Sequence, residues 1–225
     1  MNIADNIIRQ KLINVYFIWG RGKTTISNEL SKNFGFHIYD VDKNRYHHWK
    51  NTAEPQYQPY MCRDFEKEYG VKDFWELPPE VIHERETHWL QEFTPMAVID
   101  LMLLSQSHEV ILCEGDIDYG AILPIASHTV YLSNQGTKFD WFDRPDHYNA
   151  LDSVKNRTDI SNEEKDDIIR NARNTVGTNE GRIPGWVMEN GIKYVIWNDA
   201  ISVEQTAVEV AEYFGFNKED KNRNE

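Results

Sequence analysis

Apolar residues fall along the chain in two alternating rhythms. Residues 15–19 (Val-Tyr-Phe-Ile-Trp) are an unbroken β-branched and aromatic run, interrupted by Gly20 and Gly22. Ile26, Leu30 and Phe34 then recur at helical spacing up to Gly35, which is the pattern of strand, glycine turn and helix. Residues 36–42 predict a second strand, on which Asp40 and Asp42, two apart, face the same way. Residues 109–115 (Glu-Val-Ile-Leu-Cys-Glu-Gly) predict a buried third strand, 128–133 a fourth and 191–197 a fifth. A short helical lead-in is expected over residues 3–12, and a helix after Pro78-Pro79 to about Glu92. Thr94 and Pro95 read as the N-cap and first-turn proline of a separate buried helix ending near Leu104, with Phe93, Ala97, Leu101 and Leu104 as its apolar stripe. Ser161 and Glu164 form a capping box for a helix over 162–175. Ser202 and Gln205 form another for a last helix, whose buried face is Val203, Ala207, Val210, Ala211 and Phe214.

Five apolar strands separated by helices predict an α/β fold, a three-layer parallel five-stranded sheet with crossover helices. Residues 1–216 read as a single domain and the charged residues 217–225 as a frayed tail. Within that domain, residues 44–92 are rich in aromatic and charged side chains and read as a helical cap over a substrate. Residues 134–182 open on a polar loop and read as a lid.

The net charge of −13 over 225 residues argues against a nucleic-acid or anionic-membrane partner, which would need a basic face. A small-molecule substrate, even an anionic one, is compatible if a few Lys and Arg converge. The first residues, Met-Asn-Ile-Ala-Asp-Asn, lack a basic segment followed by an apolar core, and no apolar run reaches membrane length. The expectation is therefore a soluble cytoplasmic protein in which Cys62 and Cys113 are reduced structural thiols. His83 and His88 are five residues apart, not the i, i+4 pair of a zinc helix, and predict no metal site. His47-His48 adjoin the acidic strand end, where a solvated loop pair or a substrate contact would both fit.

The candidate chemistry gathers where strands end. Glycines before the helix start at Lys23 let backbone N–H groups curl into a nest, the helix dipole adds positive potential, and the Lys23 ammonium supplies a mobile charge. Together these suit a polyphosphate, with the Thr24 hydroxyl placed for an accompanying Mg²⁺. Counting back from Gly22, however, puts Phe17 where the pattern G-x-x-x-x-G-K-[ST] has its first glycine. If Gly20 ends the strand, the loop is about three residues short and cannot fully wrap a β-phosphate. Asp40 and Asp42 are candidates for the base that takes a proton from a substrate hydroxyl, or for metal water; a solvated turn is the plain alternative. Glu114 is a candidate for ordering a metal shell, with Asp116 and Asp118 beside it, against a merely structural acid at a strand end. Arg144, Arg157, Arg170 and Arg173 suggest a lid that neutralises a transferring phosphate, against surface salt bridges to Asp166 or Asp167.

Phe17-Ile-Trp-Gly with Gly22-Lys-Thr-Thr25, Tyr39-Asp-Val-Asp42, Glu92-Phe-Thr-Pro-Met96, Leu112-Cys-Glu-Gly115 and the arginine-bearing segment resemble the small P-loop kinases of the nucleoside and nucleotide kinase-like group. The resemblance runs from about Asn14 to Phe216. It implies a sheet order 2-3-1-4-5, a cap, a lid, and ATP with Mg²⁺ as phosphoryl donor. It further implies that Gly20, Arg21, Gly22, Lys23, Thr24 and Thr25 bind phosphates, and that Thr24 and Glu114 hold the metal. Lys23, Asp42 or Asp40, Arg170 and Arg173 would then act in catalysis. Nucleosides, nucleotides, sugars and antibiotics are all acceptors on such scaffolds, and fold analogy does not choose among them. The alternative is a non-catalytic nucleotide-binding or regulatory protein whose phosphate loop has shrunk. No Asn-Lys-x-Asp motif supports a GTPase switch.

Overall fold

Five parallel strands in the order β2-β3-β1-β4-β5 form the centre of the molecule. They are β1 (Val15–Gly20), β2 (His37–Asp40), β3 (Ile111–Glu114), β4 (His128–Asn134) and β5 (Lys193–Trp197). The helices are α1 (Ile3–Lys11), α2 (Lys23–Phe34), α3 (Val41–Asn51), α4 (Pro59–Cys62), α5 (Phe65–Tyr69), α6 (Pro79–Leu104), α7 (Tyr119–Ile122), α8 (Asp152–Lys155), α9 (Asn162–Val176), α10 (Gly185–Glu189) and α11 (Val203–Tyr213), with a 3₁₀ turn at Phe74–Glu76. The computed structural model describes residues 3–134, 142, 149–176, 183–197 and 201–217.

The alternation of β1 decides which layer lies where. Tyr16 and Ile18 pack with Leu112, Val130 and Leu132 under Ile26 and Leu30 of α2 and Ala207 and Val210 of α11. Val15, Phe17 and Trp19 point the other way, into a larger core with Phe93, Ala97 and Leu101 of α6 and Val187 of α10. Both sheet faces are therefore covered, which is why every strand reads as a near-continuous apolar run. The capping boxes form as the sequence predicts. Ser161 Oγ accepts from Glu164 N at 3.2 Å and Ser202 Oγ from Gln205 N at 3.1 Å. Cys62 and Cys113 are both free thiols, Cys113 fully inside the core.

Two elements differ from the expectation. The second strand stops at Asp40 and a helix begins at Val41, because the Asp40 carboxylate accepts from Lys43 N at 3.0 Å and caps that helix. Asp42 thus stands on a helix, and the strand alternation that would align it with Asp40 does not apply. Second, α6 runs without a break through Thr94-Pro95. Thr94 is not a cap: its buried hydroxyl donates to Leu90 O at 2.7 Å and accepts from Asp118 N at 3.1 Å. Tertiary burial of the Phe93, Ala97 and Leu101 stripe holds the helix together across the missing Pro95 N–H. The same threonine ties the segment that follows β3 to α6.

Candidate functional site

The carboxyl ends of β1, β2 and β3 meet at the first turn of α2. In the sheet register Glu114 lies beside Ile18 on one side and Asp40 on the other. The connection from β1 to α2 is only Arg21 and Gly22, with Gly20 at φ 91° and Gly22 at φ 81°, both in the left-handed region that glycine adopts without strain. A Cβ on Gly20 would stand 2.0 Å from the Leu132 carbonyl oxygen, so this crossing is closed to any side chain.

The turn is continuous and tight. Arg21 N donates to Leu132 O at 3.0 Å, so the amide that a longer loop would turn toward an anion is bonded to β4 instead. The first α-helical bond is Ile26 N to Gly22 O at 3.0 Å, which leaves the N–H groups of Gly22, Lys23, Thr24 and Thr25 without intrahelical acceptors. These amides, not an encircling loop, are the donors that the N-terminal end of α2 offers to an anion. Phe17 and Trp19 do not obstruct it: both are buried in the core on the α6 side of the sheet.

Around that helix end three side chains converge. Lys23, mostly buried, places its Nζ 3.8 Å from Asp116 Oδ1. The Thr24 hydroxyl lies 3.4 Å from both carboxylate oxygens of Glu114 and donates to them. Glu114 is buried, and desolvation is the main cause that pushes its pKa up to about 7; the charges of Asp40 and Asp42 push the same way, while Lys23 and the Thr24 hydroxyl oppose it. A buried carboxylate beside a hydroxyl, facing a helix N-terminus, is a suitable donor set for Mg²⁺, which takes few protein ligands and completes its shell with phosphate oxygens and water. Among the described residues no three His, Cys, Asp or Glu side chains form a metal cage of their own.

The two acids at the junction of β2 and α3 separate in role. Asp40 caps α3, whereas Asp42 is exposed on the first turn of that helix and pairs with Arg45 at 3.4 Å. His48, adjoining in sequence, turns away: its Nε2 is 2.7 Å from Asp100, which also accepts from the Tyr39 hydroxyl at 2.8 Å, so this histidine clamps α3 to α6. His47 stays exposed and bonds Asn51.

Among the described residues, Arg157 and Arg170 of the expected lid are held in ion pairs. Arg157 is held by Glu76 at 2.6 Å and by both carboxylate oxygens of Asp159 at 2.9 Å, which joins the 3₁₀ turn to the segment before α9. These bonds raise the Arg157 pKa further and hold Asp159 far below the usual carboxylate range. Arg170 pairs with Asp167 on its own exposed helix face, and Arg173 is exposed on the same helix. Arg144 lies outside the described residues, as does most of the 134–148 segment.

A different pair of arginines, Arg45 and Arg85, meets over one indole, and sequence reasoning missed it. Arg45 and Arg85 both lie over Trp89, at 5.3 and 4.6 Å from the ring centroid, and both approach Glu86. The available signal was the spacing Asp42, Arg45, Trp49 at helical period, hidden by reading residues 36–42 as strand.

No protein-family model matches the chain, and no curated protein matches it. Among solved structures it is similar to a dephospho-CoA kinase from Campylobacter jejuni, with 14% identity, a TM-score of 0.45, and coverage of 89% of this chain and 96% of that one. It is also similar to a sugar kinase from Janibacter sp., with 10% identity, a TM-score of 0.38, and coverage of 92% and 97%. Both likenesses are distant, and the chemistry of the site rests on this chain's own residues. No helix among the described residues is long and apolar enough to cross a membrane.

Proposed function

We propose that the protein transfers the γ-phosphoryl group of ATP to a hydroxyl or phosphate of a small molecule in the cytoplasm, as the small P-loop kinases do. The observation that carries this reading is the convergence of Lys23, Thr24 and Glu114 on the free amides of α2. The amides of Gly22, Lys23, Thr24 and Thr25, with Gly20 and Arg21 shaping the turn, bind the phosphates, and the Lys23 ammonium follows the charge as it moves to the leaving oxygen. Asp116 holds that ammonium in place. Thr24 and Glu114 would hold Mg²⁺, which would offset the charge of the phosphate oxygens.

With a hydroxyl acceptor, its oxygen bonds to the γ-phosphorus as the bond to the bridging oxygen breaks, and its proton passes to a carboxylate. Asp42 suits this role better than Asp40, whose carboxylate is engaged at the α3 cap. Arg170 and Arg173 neutralise the transferring group only if α9 brings them over it; in the structure Arg170 is paired with Asp167.

The test is transfer of labelled γ-phosphate from ATP to a panel of nucleosides, nucleotides, sugars and amino-alcohols. Lys23→Ala should lower transfer by at least about a hundredfold. The short turn favours one second reading, a nucleotide-binding protein without transferase activity. Under it, ATP raises the melting temperature of the wild type, Lys23→Ala removes that shift, and no acceptor is ever labelled.

A further inference from the structure

Arg85 projects from α6 into a ring of aromatic faces, its guanidinium carbon 4.5 Å from the centroid of Phe74, 4.6 Å from Trp89 and 5.8 Å from Phe65. Its side chain is only 17% exposed, yet among the described residues it makes no hydrogen bond; its one ionic contact is Glu86 at 3.6 Å. None of its nitrogens is a fully buried atom without a partner, so its unbonded N–H groups keep some contact with solvent. Desolvation lowers its pKa; the charges of Glu86 and Glu66 oppose this, and that of Arg45 adds to it. Arg45 approaches the same Trp89 from α3 and shares the Glu86 carboxylate at 3.3 Å, its other contact being the exposed Asp42.

Two guanidiniums thus crowd one indole and one carboxylate, in a chain whose 37 Asp and Glu outnumber its 24 Lys and Arg. The cation–π contacts hold both groups against the ring; the terminal nitrogens of Arg45 are shared with Glu86 and Asp42, while the N–H groups of Arg85 make no hydrogen bond among the described residues, and that fork matches the oxygens of a phosphate or carboxylate. Asp42 and Arg45 are one helical turn apart on α3, and the N-cap of that helix, Asp40, is paired in register with Glu114, so Arg45 stands on the helix that starts beside Glu114.

We propose that Arg45 and Arg85 form an anion subsite, so that the acceptor is a hydroxyl compound already carrying a phosphate or carboxylate rather than a neutral sugar, nucleoside or antibiotic. That this anion accepts a phosphoryl group rests on the phosphoryl-transfer reading; the subsite itself rests on the arginine geometry.

The full chain can be titrated calorimetrically with ribose 5-phosphate against ribose, and with gluconate against glucose, in the wild type and in Arg85→Gln, Arg45→Gln, Arg85→Lys and Lys23→Ala. The wild type should bind the charged member of at least one pair more tightly by about tenfold or more. Which pair responds distinguishes phosphate from carboxylate. Arg85→Gln and Arg45→Gln should erase the preference and Arg85→Lys weaken it, whereas Lys23→Ala should keep it. Arg45→Gln, on the partly exposed α3, serves if Arg85→Gln does not fold. Equal binding of charged and neutral members overturns the proposal, as does a preference that survives both glutamine variants or is lost only in Lys23→Ala. Failure of ATP to bind would overturn the phosphoryl-transfer reading and leave the subsite standing.

Discussion

The Thr24 hydroxyl lies equidistant from the two carboxylate oxygens of Glu114, at 3.4 Å from each, across a sequence separation of 90 residues. At such a distance the hydroxyl only partly replaces the water that Glu114 loses on burial, and the carboxyl keeps a raised pKa of about 7. The folded protein therefore holds a proton there over a range in which the unfolded chain has released it.

Stability should consequently fall as pH rises from about 4.5 to about 7, because in that window the native state binds more protons than the unfolded state. The contribution of Glu114 is fully present below the lower value and lost above the upper one, amounting to about 3 kcal/mol at most. Urea unfolding at pH 5 and pH 8 without divalent cation measures it. Glu114→Gln should flatten the profile and raise the melting temperature at pH 8. Magnesium with ATP should flatten it in the wild type, by stabilising the ionised form, and should fail to do so in the variant.

Asp40 and Asp42 should respond in opposite ways to removal. Asp42→Asn, at an exposed position, should leave the melting temperature nearly unchanged and lower phosphoryl transfer by roughly a hundredfold or more, as loss of a general base does. Asp40→Ala should cost about 1 kcal/mol through the lost α3 cap, with a smaller effect on transfer. Paired measurements of turnover and thermal unfolding on both variants check this. The reverse pattern would assign the base to Asp40.

Gly20→Ala should be among the most damaging single changes. Its backbone lies at φ 91° and the added Cβ would meet the backbone oxygen of Leu132 at 2.0 Å, which β4 cannot withdraw without losing its pairing to β1. A loss of about 3 kcal/mol or failure to fold is expected. Gly191→Ala is the control, with a similar φ of 63° but nothing within 4 Å, and it should cost only about 1 kcal/mol. Denaturant midpoints of the two variants give the comparison.

Thr94→Val keeps shape and removes one hydroxyl. It leaves the Asp118 amide without its acceptor in a part-buried position, for an expected loss of about 1–3 kcal/mol. Hydrogen exchange at Asp118 should quicken at the same time, since that bond pins the segment after β3 to α6. No change in exchange there would show that the hydroxyl serves α6 alone.

Much of this architecture was legible without coordinates, and the reason is periodicity. A parallel sheet covered on both faces demands near-continuous apolar strands, so runs such as residues 15–19 and 111–114 announce themselves, and the Ser161 and Ser202 caps are local by nature. Lys23 and Thr24 were legible for the same reason, standing at a turn between strand and helix. Only the folded chain decided that Asp40 caps a helix while Asp42 stays free of that task, that α6 continues through Pro95, and that Arg45 and Arg85 meet over one indole. It also decided the raised pKa of Glu114, which follows from burial beside Asp40 and Asp42. Those outcomes depend on desolvation and on contacts between residues far apart in sequence, and neither leaves a period in the chain for a reader to find.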